Sequence, residues 1–149
     1  MKLQKTIRES VKLTGKGLFG GQDATVTFHP APEETGVLFA RVDVAGTVRI
    51  AAVAPNIAER SRRTSIKKGE VSIETVEHCL AAIHALEIDN IFLEVEGPEL
   101  PSPDCSSAQY VSILKQAGLV EDRKEGAMIF YRPRVKCLEG FCFSCSGGV

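Results

Sequence analysis

A chain of 149 residues with 44% hydrophobic and 25% charged residues is the size of one domain, and it is long enough to bury about two-thirds of its unfolded surface. A formal net charge of -1 argues against nucleic acid or another strongly charged partner. No apolar run approaches the roughly 18 residues of a membrane span, and Met1-Lys2-Leu3-Gln4-Lys5 lacks the hydrophobic segment of a secretion signal, so a cytoplasmic protein without a transmembrane segment is expected.

In chain order, Ile7, Val11 and Leu13 stand among polar residues before Gly15-Lys16-Gly17-Leu18-Phe19-Gly20-Gly21. No Gly-Lys-Ser/Thr sequence and no helix follow that run, so a hairpin connection is favoured over a phosphate cradle. Residues 24–29 alternate apolar and polar as a half-buried strand does, and Pro30-Ala31-Pro32 ends it, placing His29 at an exposed strand end. Pro32-Glu33-Glu34-Thr35-Gly36 reads as a turn, so residues 36–42 are expected to pair with that strand. A further strand is predicted at 47–53. The polar stretch 59–69 carries Arg60, Arg62, Arg63, Lys67 and Lys68; flanked by Glu59 and Glu70, it reads as a solvated rim, with neutralisation of an anionic substrate as the alternative.

Residues 70–73 form a short strand leading into a helix that opens at Glu74, with Ser72 as the expected N-cap. Val76, Leu80, Ile83 and Leu86 supply its buried stripe. Glu77 and His78 lie off the centre of that stripe. Successive helical residues diverge by roughly 100°, so the two side chains do not bond each other, yet both reach a common point beyond the helix N-terminus. A neutral imidazole ligand beside a proton-accepting carboxylate suits metal-assisted hydrolysis. Alone, the dipeptide is a weak signal and reads first as an ordinary helix surface. Glu74, one turn before His78, reads as a surface carboxylate, and His84 lies about 120° from His78 around the helix.

Past a polar turn at Glu87-Ile88-Asp89-Asn90, residues 91–96 form a strand stopped by Gly97-Pro98, which suggests a βαβ unit. Pro98, Pro101 and Pro103 keep the next stretch extended. Asp104 or Ser106 then caps a second helix with Ala108, Val111, Leu114 and Ala117 on its apolar side and Gly118 at its C-terminal end. A final strand is predicted over 127–135. These elements make an α+β domain, a mixed or antiparallel sheet with two helices on one face. The five cysteines, at 79, 105, 137, 142 and 145, do not form a disulfide framework. Cys79 is expected to pack as a small apolar residue, while Cys142-Phe143-Ser144-Cys145 is a CxxC without a second pair.

The ordered set Thr14-Gly15-Lys16-Gly17-Leu18, Pro30-Ala31-Pro32, Thr35-Gly36-Val37, Ser72-Ile73-Glu74-Thr75-Val76-Glu77-His78, Ile88-Asp89-Asn90-Ile91, Pro98-Glu99-Leu100-Pro101, Asp104 with Ser106-Ser107-Ala108, and Tyr131-Arg132-Pro133 resembles the first half of the UDP-3-O-acyl-N-acetylglucosamine deacetylases, the zinc amidases of lipid A biosynthesis. The resemblance covers about residues 3–136 and leaves 137–149 as an unmatched tail, of the kind a truncation or frameshift produces. It implies two similar α+β domains with the active site between them, of which this chain is the N-terminal one. It also implies that His78 is one of three zinc ligands and Glu77 the general base. The other two ligands, a histidine that assists the leaving group and the acyl-chain passage belong to the missing C-terminal domain.

Two departures stand out. Phe19 occupies a position where the family commonly has histidine, and Cys105 one where it commonly has glycine. A glycine there tolerates a positive φ that cysteine resists by about 1 kcal/mol or more. The expected function is therefore zinc-dependent deacetylation of an acylated UDP-N-acetylglucosamine, with this chain inactive by itself. The alternative is a catalytically silent single domain acting as a binding or assembly module.

Overall fold

The computed structural model describes residues 3–125 and 128–133. Among these residues eleven strands and two helices occur in this order: β1 (Gln4–Ile7), β2 (Val11–Lys16), β3 (Asp23–Pro30), β4 (Val37–Arg41), β5 (Val48–Ala51), a 3-10 turn (Ala54–Asn56), β6 (Ile57–Ala58), β7 (Ser65–Lys68), β8 (Val71–Glu74), α1 (Glu77–Ala85), β9 (Ile91–Glu96), α2 (Ala108–Gln116), β10 (Leu119–Glu125) and β11 (Met128–Pro133). The main sheet has the order β2-β3-β9-β4-β5, and it is mixed because β9 runs antiparallel to β3 but parallel to β4. Both helices pack against each other on one face of this sheet, giving a two-layer α+β sandwich. Two smaller antiparallel sheets, β6-β7-β8 and β1-β10-β11, flank it.

The covered face follows from the period-two pattern of the central strands. Ala24, Val26 and Phe28 of β3 and Ile91, Leu93 and Val95 of β9 are buried. Phe28 meets the α2 residue Tyr110 edge-on at 6.1 Å, which fixes that side as the helix side. The Tyr110 hydroxyl donates to the Pro101 carbonyl, so the one polar atom of a buried ring is satisfied, and burial pushes its ionisation far up. On the opposite face His29 stacks on Phe92 and bonds Ser10 (2.8 Å) and Glu94 (3.1 Å). It is half-buried, more enclosed than an exposed strand end.

Several sequence expectations change here. The turn at 32–36 does not join paired strands: β9 inserts between β3 and β4, a long-range pairing that local turn chemistry cannot specify. The Asp89-Asn90 turn makes this insertion specific. Asp89 accepts the Lys5 N–H (2.8 Å), and the buried Asn90 accepts the Gly36 N–H (2.9 Å) while donating to Gln4 (2.6 Å). The parallel pair is thus β4 and β9, and β8, the strand before α1, belongs to a different sheet. The polar stretch 59–69 also contains strand β7, which pairs with β8. The final strand is preceded by β10, its antiparallel partner. The cysteines at 137, 142 and 145 lie outside the described residues.

Candidate active site

The segment that carries Glu77 and His78 is fixed on both flanks before the helix begins. Glu74 ends β8, with its N–H on the Pro98 carbonyl (2.9 Å) and its carbonyl receiving the Leu100 N–H (3.0 Å). Ser72 is inside β8, and its carbonyl accepts from Arg41 (2.7 Å), so it caps nothing. Val76 occupies the N-cap without a side-chain bond, and the helix starts at Glu77, three residues later than the periodicity suggested. The delay has a physical cause in Thr75, whose φ of 58° is incompatible with a right-handed helix. Val76, Cys79, Ala82 and Ile83 then face the core, while Leu80 and Leu86 pack at its edge. Burial raises the Cys79 thiol well above its ordinary range, consistent with a packing residue.

Glu77 and His78 are both half-buried in the first turn of α1. Oε2 of Glu77 accepts the Thr64 N–H (3.0 Å), and the Thr64 carbonyl accepts the Val76 N–H (3.1 Å). One carboxylate oxygen is therefore held by backbone, and the negative charge lies at the favourable end of the helix dipole. Among the described residues no side chain bonds the His78 imidazole.

Glu99 is the residue that sequence reasoning missed. It is only 5% exposed, yet its carboxylate accepts the N–H groups of Phe19 (3.0 Å) and Gly20 (2.8 Å) and the Thr75 hydroxyl (2.6 Å). Burial alone would raise its pKa; the Thr75, Gly20 and Phe19 bonds, with the Arg63 charge nearby, hold it below the usual carboxylate range. The glycine run is thus a hairpin connection whose N–H groups are turned on the chain's own carboxylate. A Cβ at Gly17 would collide with that carboxylate, which explains a glycine there. The available signal was a lone glutamate between two prolines in a stretch where Leu100 and Pro101 are buried.

Glu74 is not a surface carboxylate. Its side chain is 19% exposed and sits between Arg60 (3.2 Å) and Arg63 (3.0 Å), the latter an ion pair whose N–H is not aimed at the oxygen. Arg63 also covers the Phe19 ring at 4.5 Å from its centroid. Arg62, Lys67 and Lys68 are exposed, so most of the basic run is the solvated rim that the sequence suggested. Cys105 has a φ of 55°, the strained conformation anticipated where a glycine is common. Asp104 and Ser106 together order the entry to α2: Asp104 accepts from the Ser106 N–H and hydroxyl, and Ser106 accepts the Ala108 N–H.

The donor set falls short of a zinc site. Among the described residues no three His, Cys, Asp or Glu side chains converge. His84 is exposed in the last turn of α1, and His29 is on the other face of the main sheet. His78 fits as one neutral donor, but zinc needs three protein donors with an open position, so these residues alone do not close a site.

Residues 4–144 match the model of the family described as LpxC, UDP-3-O-acyl N-acetylglycosamine deacetylase. The chain belongs to this family. It is 48% identical over 121 residues to the bifunctional enzyme LpxC/FabZ of Porphyromonas gingivalis, a match covering 81% of this chain and 26% of that protein. It is 42% identical over 121 residues to the UDP-3-O-acyl-N-acetylglucosamine deacetylase of Bdellovibrio bacteriovorus, covering 81% of this chain and 40% of the relative. With the deacetylase of Thioalkalivibrio sulfidiphilus it shares 37% identity over 136 residues, covering 91% and 45%. The chain therefore spans less than half the length of these LpxC relatives. No helix among the described residues is long and apolar enough to cross a membrane.

Proposed function

We propose that this chain forms the N-terminal wall of a zinc-dependent deacetylase site that acts on UDP-3-O-acyl-N-acetylglucosamine in lipid A biosynthesis. Glu77 is assigned as the proton acceptor and His78 as one zinc donor. The observation that carries this reading is the pairing of a half-buried His78, whose imidazole is bonded by no side chain among the described residues, with a Glu77 carboxylate that Thr64 holds at the helix start, in a chain of this family. The two remaining zinc donors are assigned to the part of the relatives that lies beyond the match.

When bound, zinc supplies Lewis-acid polarisation of an amide carbonyl and acidifies water. Within this chain, Oε2 of Glu77 is engaged by the Thr64 N–H, which leaves Oε1 to take a proton from the attacking water. The backbone bond also fixes the carboxylate rotamer, reducing what must be ordered during the reaction. His78 orients through its place in the first turn, beside rather than beneath Glu77.

The absence of a three-donor cluster among the described residues favours one further statement: the isolated chain is catalytically silent. Glu77→Ala tests the main assignment. In an enzyme assembled with the complementary domain it should lower turnover by about 10²-fold or more while zinc stays bound. Full turnover in that variant would remove Glu77 as the proton acceptor.

A further inference from the structure

We propose that Glu99 is a positioning residue: its buried carboxylate ties the glycine loop to the Thr75 bend and thereby sets the orientation in which α1 presents Glu77 and His78. The contacts form a closed circuit. Phe19 and Gly20 donate to Glu99, and Glu99 accepts from Thr75. Thr75 leads through Val76 to Glu77, and both of these are bonded to the backbone of Thr64. Arg63, next to Thr64, returns to the ring of Phe19. Four segments distant in sequence, 17–20, 63–64, 74–77 and 99, are thus mutually constrained around one carboxylate.

The circuit fixes the chain entering α1, a helix whose N-cap, Val76, makes no side-chain bond. Thr75 holds a left-handed conformation that a β-branched residue resists, and the 2.6 Å bond to Glu99 offsets the strain. The same carboxylate fills the glycine-loop N–H groups that an external phosphate would need. The loop is therefore a support for the site and not an anion subsite, and Phe19 is presented outward, 46% exposed, under the Arg63 guanidinium. Only the catalytic meaning of the orientation given to Glu77 and His78 rests on the functional reading above.

Amide NMR of the 149-residue chain tests it. In the unmodified protein, the Phe19 and Gly20 N–H groups should exchange about 10- to 100-fold more slowly than that of the exposed Gln22. In Glu99→Gln that protection should be lost, and the amide signals of Thr64, Thr75, Glu77 and His78 should shift while those of Val26 and Leu93 stay in place. Gly17→Ala displaces the carboxylate without removing it and should move the same set, so the test survives if one variant fails to fold. Fast exchange of Phe19 and Gly20 in the unmodified protein would overturn the circuit. Unchanged Glu77 and His78 signals in both folded variants would overturn the positioning role. Failure of Glu77→Ala to impair catalysis, with these shifts observed, would instead sink the assignment of Glu77 and leave the circuit standing.

Discussion

Thr75 offers the sharpest energetic test, because its hydroxyl and its backbone make opposite demands. The residue is 2% exposed, its φ is 58°, and its hydroxyl donates to a carboxylate that is itself 5% exposed. Thr75→Val keeps the shape and the strained backbone but removes the donor. A hydrogen bond to a charged group is worth about 1.5–3 kcal/mol, so the loss should be about 2 kcal/mol. Thr75→Ser keeps the donor and gives up one methyl, about 0.8 kcal/mol at most, partly offset by easier access to a positive φ without β-branching.

Urea unfolding of the 149-residue chain, followed by circular dichroism, should therefore place Thr75→Val about 1 M below the parent midpoint for a slope near 2 kcal/mol/M, with Thr75→Ser close to the parent. The pH dependence adds an independent check. Because the folded pKa of Glu99 is lowered, its ionised form contributes stability that is fully present above the unfolded carboxylate pKa and is lost as pH falls through the folded value. The gap between the Val and Ser variants should narrow over that acidic window. Equal destabilisation by Val and Ser at neutral pH would show that packing, not the bond to Glu99, holds Thr75.

Three further outcomes are expected. His78→Ala in the assembled two-domain enzyme should abolish tight zinc binding, because two protein donors are too few; stoichiometric zinc by metal analysis would reject His78 as a ligand. The chain alone, assayed beside a version ending at Gly140 to remove the tail cysteines, should yield zinc to a chelator and show no deacetylation, and one tightly held zinc with turnover would contradict the donor count. Cys105→Gly should relieve roughly 1–2 kcal/mol of left-handed strain at a φ of 55° against about 0.4–1 kcal/mol of added unfolded-chain entropy, a net stabilisation of up to about 1 kcal/mol that thermal unfolding would detect; a lower midpoint would mean that the thiol's own contacts outweigh the strain.

What the sequence determined by itself was the local periodicity and what depends on it. The alternation through Ala24, Val26 and Phe28 and the helical spacing of Val76 and Ile83 marked core residues correctly, because burial on one face imposes a period of two on a strand and 3.6 on a helix. The order of short motifs was enough to place the chain in its family, and with it Glu77 and His78 as the residues to examine. Only the tertiary structure decided which strands pair, since β9 reaches its place between β3 and β4 from about fifty residues away and no turn sequence encodes that. Likewise, Ser72 had the chemistry of a cap but lies in a strand, and Glu99 stood in the sequence only as one member of the Pro98-Glu99-Leu100-Pro101 motif, with no role of its own. Its partners are 24 to 80 residues distant in sequence, and burial of a charge is favourable only once all of them have converged on it.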